Sequence, residues 1–309
     1  FTIKKGMNRG YMTNLDLAAG TEHRYASRGM GSSFTDKTRF VILGNFNNKE
    51  ENAGWWNRRG LNARKMLGTN LNYDDGDKLK MDASVRWNHR GGDNLNENAS
   101  ENFYSETSRT FSNSYSQSYS RSNNWWGNVR LEWKPDTLTN ILLRANGSIG
   151  TSDGSSTSAS ATFDADPYLY SEDPLASLDP LAPYLVNHNK SANLSYGENK
   201  NTWAMLQFYR RLNPRGRNIT LRVEGNLGSN KDRSASNNEV FLHRVKNQAG
   251  QDSTYFTARY NTTPSDNKGY VLSILYSEPL WKGAHLQANY ELRYSQNKSD
   301  RQTFDFSRM

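Results

Sequence analysis

Few of the residues that usually carry chemistry stand in patterns that catalysis needs. The five histidines His23, His89, His188, His243 and His285 are far apart, and none belongs to an H-E-x-x-H or comparable metal motif. The chain has no phosphate-binding lysine loop and no dinucleotide fingerprint. Acids recur along its whole length, so pairs of them carry no signal, and the expectation is a protein that is not an enzyme and takes no cofactor. Binding is better represented. Trp55 and Trp56 in GWWNRRG, with Arg58 and Arg59 beside them, have the flat faces and cations that stack on a sugar or other flat ligand, although folding of the loop onto its own protein uses them equally well. Asp164 and Asp166 in FDADP, with Asp173 and Asp179, are weak candidates for holding calcium, because their spacing matches no regular calcium loop. The largest set is Arg86, Arg130, Glu132, Arg144, Arg222, Glu224, Glu291 and Arg293, which fall at alternate positions within short runs. Side by side on one wall they would line a water-filled or plug-filled lumen and conduct a polar solute; the plainer use is to solvate that wall and pair across it.

A period of two requires strands to position these groups. In AHLQANYELRYS (284–295) the even positions are Ala, Leu, Ala, Tyr, Leu and Tyr, and the odd ones are His, Gln, Asn, Glu, Arg and Ser. LKMDASVRW (79–87), WGNVRLEW (126–133) and NITLRVEGNLG (218–228) repeat this, each with one apolar face and one face of Arg, Glu, Asp and Asn. Weaker alternation in GYMTNLDLAA, RYASRGMGSSF, TRFVILGNFN, KMLGTNLNYD, NILLRANGSIG, TWAMLQFYRRL and GYVLSILYS brings the total to about eleven strands. Several run ten residues or more, against the usual five or six, and about nine to eleven is the length that crosses a bilayer at a barrel's tilt.

The connections fit the same picture. Short links rich in Pro, Gly and Asp occur at 35–37, 74–77, 134–139, 213–216 and 277–283, and they alternate with long segments at 48–62, 91–120, 151–200 and 230–267. Transmembrane barrels place short turns at one rim and long loops at the other. SETSRTFSNSYSQSYSRSNN (105–124) reads as a polar ribbon continuing the strands beyond the bilayer, with low-complexity disorder as its competitor. FDADPYLYSEDPLASLDPLAPY (163–184) is proline-rich and reads as an irregular exposed loop. Tyr73, Trp87, Trp133, Trp281 and Tyr290 fall near expected strand ends, where rings prefer the headgroup level.

Composition narrows the classes. Of 309 residues 34% are hydrophobic, thin for a large shared core, yet aromatics reach 12%, which disordered chains lack. No stretch approaches a membrane-spanning helix, and FTIKKGMNRG lacks the apolar segment of an export signal, so the chain reads as the interior of a longer protein. The absence of cysteine excludes a disulfide framework. A formal charge of +8 is compatible with an anionic partner, but the basic residues are scattered singly, and no nucleic-acid partner is expected.

On IKKGMNRG with the strand that follows it, RFVILGNFNNKEENAG (39–54), SNNWWGNVRLEWKPDTL (122–138) and FYRRLNPRGRNITLRVEGNLG (208–228), the chain resembles TonB-dependent receptors of the Bacteroides-type outer-membrane β-barrel family. The resemblance implies an all-β fold: an antiparallel up-and-down transmembrane barrel, of which this chain holds about 11 of roughly 22 strands. It implies that residues 1–9 are the plug-to-barrel junction and 10–309 the first part of the barrel, with the four long segments as extracellular loops. Implied partners are outer-membrane lipid, a plug domain and the remaining strands outside this chain, and TonB through an N-terminal region also outside it, with room for a surface lipoprotein over the loops. The implied location is the outer membrane of a Gram-negative bacterium and the implied function is uptake of a polar nutrient through a plugged lumen. A non-transporting adhesin or scaffold displaying Ser, Tyr and Asn is the alternative, and a soluble sheet over a core is a more distant one.

Overall fold

A computed structural model describes residues 9–21, 23–48, 59–104, 109–281 and 283–306. The described strands are β1 (Gly10–Ala19), β2 (Tyr25–Phe34), β3 (Thr38–Asn47), β4 (Arg59–Asp74), β5 (Leu79–Phe103), β6 (Arg109–Asp136), β7 (Thr139–Phe163), β8 (Leu185–Arg211), β9 (Asn218–Lys246), β10 (Asp252–Trp281), β11 (Ala284–Ser299) and β12 (Gln302–Asp305). Each of the eleven alternating runs named above lies in its own strand. All pairings are antiparallel between chain neighbours from β1 to β11, so the sheet is an up-and-down meander. Among the described residues β1 and β11 do not pair with each other, and the sheet stays open, as part of a barrel does.

The short β12 was not foreseen. Its register on β10 (Thr262↔Gln302) continues that of β11 (Ser265↔Ser299), so the two are one strand interrupted opposite Pro264. Asp300 N–H donates to the Pro264 carbonyl at 3.0 Å, but the proline has no N–H to return the bond.

Strand lengths differ from expectation at one end. The spans 91–120, 151–200 and 230–267, expected as long connections, are strand for most of their length; β7 and β8 are joined by 164–184 and β9 and β10 by 247–251, while 105–108 lie outside the described residues. Alternation ends where the apolar face ends, but the ladder does not. Cross-strand polar pairs such as Ser158 with Ser191 (2.7 Å) and Asn199 with Asn230 (2.5 Å) carry it further, so the ribbon expected for 105–124 is formed over its described part, Arg109 onward. Of 48–62, residues 49–58 lie outside the described residues, as do 1–8 of the expected junction.

Among the described residues no second layer packs on the sheet. The chain exposes 22036 Å², against about 13,000 Å² for a compact protein of 35.2 kDa. Its only apolar cluster of buried residues among those described is Ala161, Phe163, Leu181 and Leu185, where the 164–184 tip folds back over the ends of β7 and β8. The soluble-core alternative therefore lacks its core among the described residues. The tip itself is compact: two 3-10 turns, Pro167–Leu169 and Asp179–Tyr184, carry a proline at the first or second position, where a missing N–H costs nothing.

Candidate functional site

Register decides which side chains share a face, because directly paired residues point the same way. Following the pairs outward from β5, Arg86, Arg130, Glu132, Arg144, Arg222, Glu224, Glu291 and Arg293 all fall on one face. One row reads Lys80, Glu132, Leu142, Gln207, Arg222, Ser273, Glu291; the next reads Asp82, Arg130, Arg144, Met205, Glu224, Val271, Arg293. Charges of both signs are interspersed along both rows. Arg130 lies 3.5 Å from Glu132, Lys134 lies 3.0 Å from the same carboxylate, Arg293 lies 3.0 Å from Glu291, and Arg222 pairs with Glu224. Such half-exposed pairs contribute little stability, at most about 1 kcal/mol each, but they keep the wall wetted by both signs. Arg130 and Arg144 sit directly opposite as like charges, and neither Arg144 nor Arg86 has an ion-pair partner among the described residues. Val271 and Met205 interrupt the polar face, Met205 being buried beneath its long neighbours.

The opposite face is apolar over a limited height. Between Trp125 and Trp133 on β6 and between Ile141 and Ile149 on β7 it carries no charge, a run of eight residue steps or about 27 Å along the strand. Tilted by 35–45°, that becomes about 19 to 22 Å of height, close to the roughly 25 Å apolar band of transmembrane barrels. The band climbs across the sheet. Leu15, in the middle of the apolar run of β1, is in register with Trp87 through Gly29, Gly44 and Leu67. Tyr290, in the middle of the run of β11, is in register with Leu79 through Ile274, Leu221, Phe208, Ile141 and Trp133. Eight residues of drift over ten strand spacings amounts to a slope of about 30°. A level apolar belt on tilted strands has to drift in this way.

Rings mark part of the band's edges: Trp133 at one end of the β6 run, Trp125 at the other, with Trp87 beside it at 6.2 Å between ring centres. Trp281 is exposed at the short-turn rim. Tyr290, expected near a strand end, sits inside β11 instead, paired with Ile274 well away from both ends of that strand.

Other sequence candidates are dispersed. Trp55, Trp56 and Arg58 lie outside the described residues, and Arg59 only begins the backbone of β4. Asp164 pairs with Arg244, Asp166 accepts from Tyr168 N–H at 3.0 Å, and Asp173 accepts from Leu175 and Ala176 N–H. The oxygens of Asp166 and Asp173 thus serve the tip's own turns and Asp164 ties the tip to β9, and no group of three or more ligating side chains forms among the described residues.

Two arrangements escaped the sequence. His188 and His243, 55 residues apart, meet at 2.9 Å across β8 and β9 near the long-tip rim, and His243 Nδ1 reaches Asp252 at 2.7 Å. Only the pairing could reveal this. Burial first, and the adjacent His243 second, hold the His188 imidazole below its usual range, while Lys246 and then His243 lower Asp252. The second is the pair Trp126 and Trp203 on the polar face; Trp126 was legible by extending the alternation of 126–133, whereas TWAMLQFYRR is apolar in both phases.

No protein-family model matches the chain, and no curated protein does. Solved structures that align include the CymD monoaromatic hydrocarbon channel, at 9% identity over 99% of this chain and 90% of that one with a TM-score of 0.25. The copper transporter OprC aligns at 9% over 97% and 61% with a TM-score of 0.25, and the P. putida toluene transporter TodX at 10% over 98% and 89% with a TM-score of 0.22. Superposition at this level is loose, and nothing those proteins carry is transferred to this chain.

Proposed function

We propose that the chain is part of an outer-membrane β-barrel of a Gram-negative bacterium that takes up a polar solute through a plugged lumen, driven through TonB. The observation that supports this most is the oblique apolar band, with exposed residues such as Val85, Ile149, Val223 and Leu292 on one face and mixed charges on the other. Edges of β1 and β11 that find no partner among the described residues cannot lie bare in hydrocarbon, which no water reaches, so on this reading further strands complete the wall. A plug docks on the free Arg86 and Arg144 side chains; TonB dependence and the plug rest on the resemblance alone.

The test is a heat-dependent gel shift of the full-length protein in detergent, then uptake in cells with and without TonB. A shift with TonB-dependent uptake supports the whole reading; a shift without uptake favours the surface scaffold, which strands of 25 to 30 residues rising beyond the band would also suit. A water-soluble protein with no shift removes the barrel itself.

A further inference from the structure

Register also assembles a group on the outside of the wall. His188 pairs directly with Phe241, and His243 stands two residues further along β9, so all three rings share a face. It is the face of Leu206 and Val223, because even separations along β8 and β9 in one unbroken register preserve the side. The apolar run of β9 ends at Leu227, so these rings lie far beyond the band and away from the lumen. His188 Nδ1 comes to 2.9 Å from His243 Nε2, and Asp252 of β10 meets His243 Nδ1 at 2.7 Å while Lys246 holds its other oxygen. A carboxylate only accepts, so the proton of His243 sits on Nδ1 and its Nε2 presents a lone pair to His188. The His188 ring stacks on Phe241 at 4.3 Å between centres and lies 5.1 Å from the His243 ring, and both histidines are half-buried.

We propose that His188 Nδ1 and His243 Nε2 together bind one late first-row divalent cation, Cu(II) most tightly, and so clip β8 to β9 at the long-tip rim. Imidazole nitrogen suits copper, nickel and zinc, whereas calcium and magnesium take oxygen. Two nitrogens 2.9 Å apart, each about 2.0 to 2.1 Å from one ion, subtend about 90° at it. That is the angle between adjacent corners of the tetragonal or octahedral shells of copper and nickel, whereas a tetrahedral zinc ion wants about 3.4 Å. The rings turn about their side-chain bonds to aim at an ion beside the line that now joins them, and His188 slides over the flat face of Phe241 as it does so. Asp252 holds His243 in the ligating tautomer, as carboxylates behind metal-bound histidines do. His188 carries its proton on Nδ1 in the metal-free pair; binding moves that proton to Nε2 through water, so the ring stays neutral and no proton is released overall. Of the neighbouring charges, Lys190 opposes the ion and Glu239 favours it. No third ligating side chain joins the pair among the described residues, so water takes the remaining positions. The clip has a mechanical use: Arg244, next to His243, bonds Asp164 and the Pro183 carbonyl, so the ion would fix the strands to which the 164–184 tip is tied.

Nothing here depends on transport or on barrel closure, only on β8, β9 and β10 in register. Untagged full-length protein in detergent, stripped with a chelator, is titrated with Cu(II) at about pH 7.5 under electron paramagnetic resonance, and with Ni(II) and Mg(II) by calorimetry. The expected result is one Cu(II) per chain with two equatorial imidazole nitrogens, bound at least about tenfold more weakly in both H188A and H243A. Ni(II) should bind more weakly and Mg(II) not at all, and Cu(II) should slow hydrogen exchange at 187–189 and 241–243 in the parent alone. The proposal is overturned if the H188A/H243A double variant binds as many Cu(II) ions as tightly as the parent, if the ion lost in the variants shows a single nitrogen, or if Cu(II) leaves those amides unchanged. The parent's spectrum and exchange pattern decide even where a variant fails to fold.

Discussion

A lysine placed at Val223 tests the two-faced sheet most directly. Val223 is the midpoint of the β9 apolar run from Ile219 to Leu227, is 50% exposed, and is flanked by Leu206 and Leu272. On the barrel reading that exposure faces hydrocarbon near the midplane, where Lys costs about 2 to 4 kcal/mol. At 1.4 kcal/mol per decade the folded-to-unfolded ratio in lipid should fall about 30- to 700-fold. Thr220, three residues earlier, points to the other face with Tyr209 and Leu275 as its pairs, so Thr220→Lys meets water and should cost at most about 0.5 kcal/mol. The assay is urea unfolding of full-length protein in vesicles, read by the heat-dependent gel shift, with Leu286→Lys and Gln287→Lys as a second pair on β11. Costs equal within about 0.5 kcal/mol at the two faces would refute the reasoning, because only a sheet wetted on both faces has no reason to distinguish them.

Phe163 is fully buried in the cluster that clamps the 164–184 tip, so Phe163→Ala should loosen that clamp by about 3 to 5 kcal/mol and sharply raise protease cutting within 164–184, while the gel shift persists. The His188 and His243 pair makes the same rim acid-sensitive. A His188 pKa held below its unfolded value adds stability that is complete above pH about 6.5 and lost as pH falls through the lower folded value, since burial and then the neighbouring His243 disfavour the charged ring. Lys190 and His243 oppose that proton and Glu239 favours it, so hydrogen exchange at the Asn187 end of β8 should quicken between pH 7 and 5 and His188→Gln should abolish the change. Pro264→Ala restores a ladder donor opposite Asp300, and amides 300–302 should exchange more slowly by a few-fold.

Period-two patterning determined much of this protein before any pairing was known. A strand's alternate side chains face opposite ways, so Leu79 to Trp87 or Ile219 to Leu227 announces one dry and one wet face on its own. Pro, Gly and Asp likewise marked the short turns: Asp75 accepts the N–H groups of Asp77, Lys78 and Leu79, a local bond requiring nothing distant. Where polar residues fill both faces, as in 151–160, alternation falls silent although the ladder continues, and the strand tips were read as loops.

What only the tertiary structure decided is register, because sliding one strand by two residues preserves every local pattern yet changes every neighbour. Register put eight separately noticed charges on one wall, set Trp126 two strands from Trp203, brought His188 to His243, and let the apolar runs of β1 and β11 drift into one sloping band. No single strand contains that slope; it arises from the stagger of hydrogen bonds across the whole sheet, which is the property that makes the wall tilt.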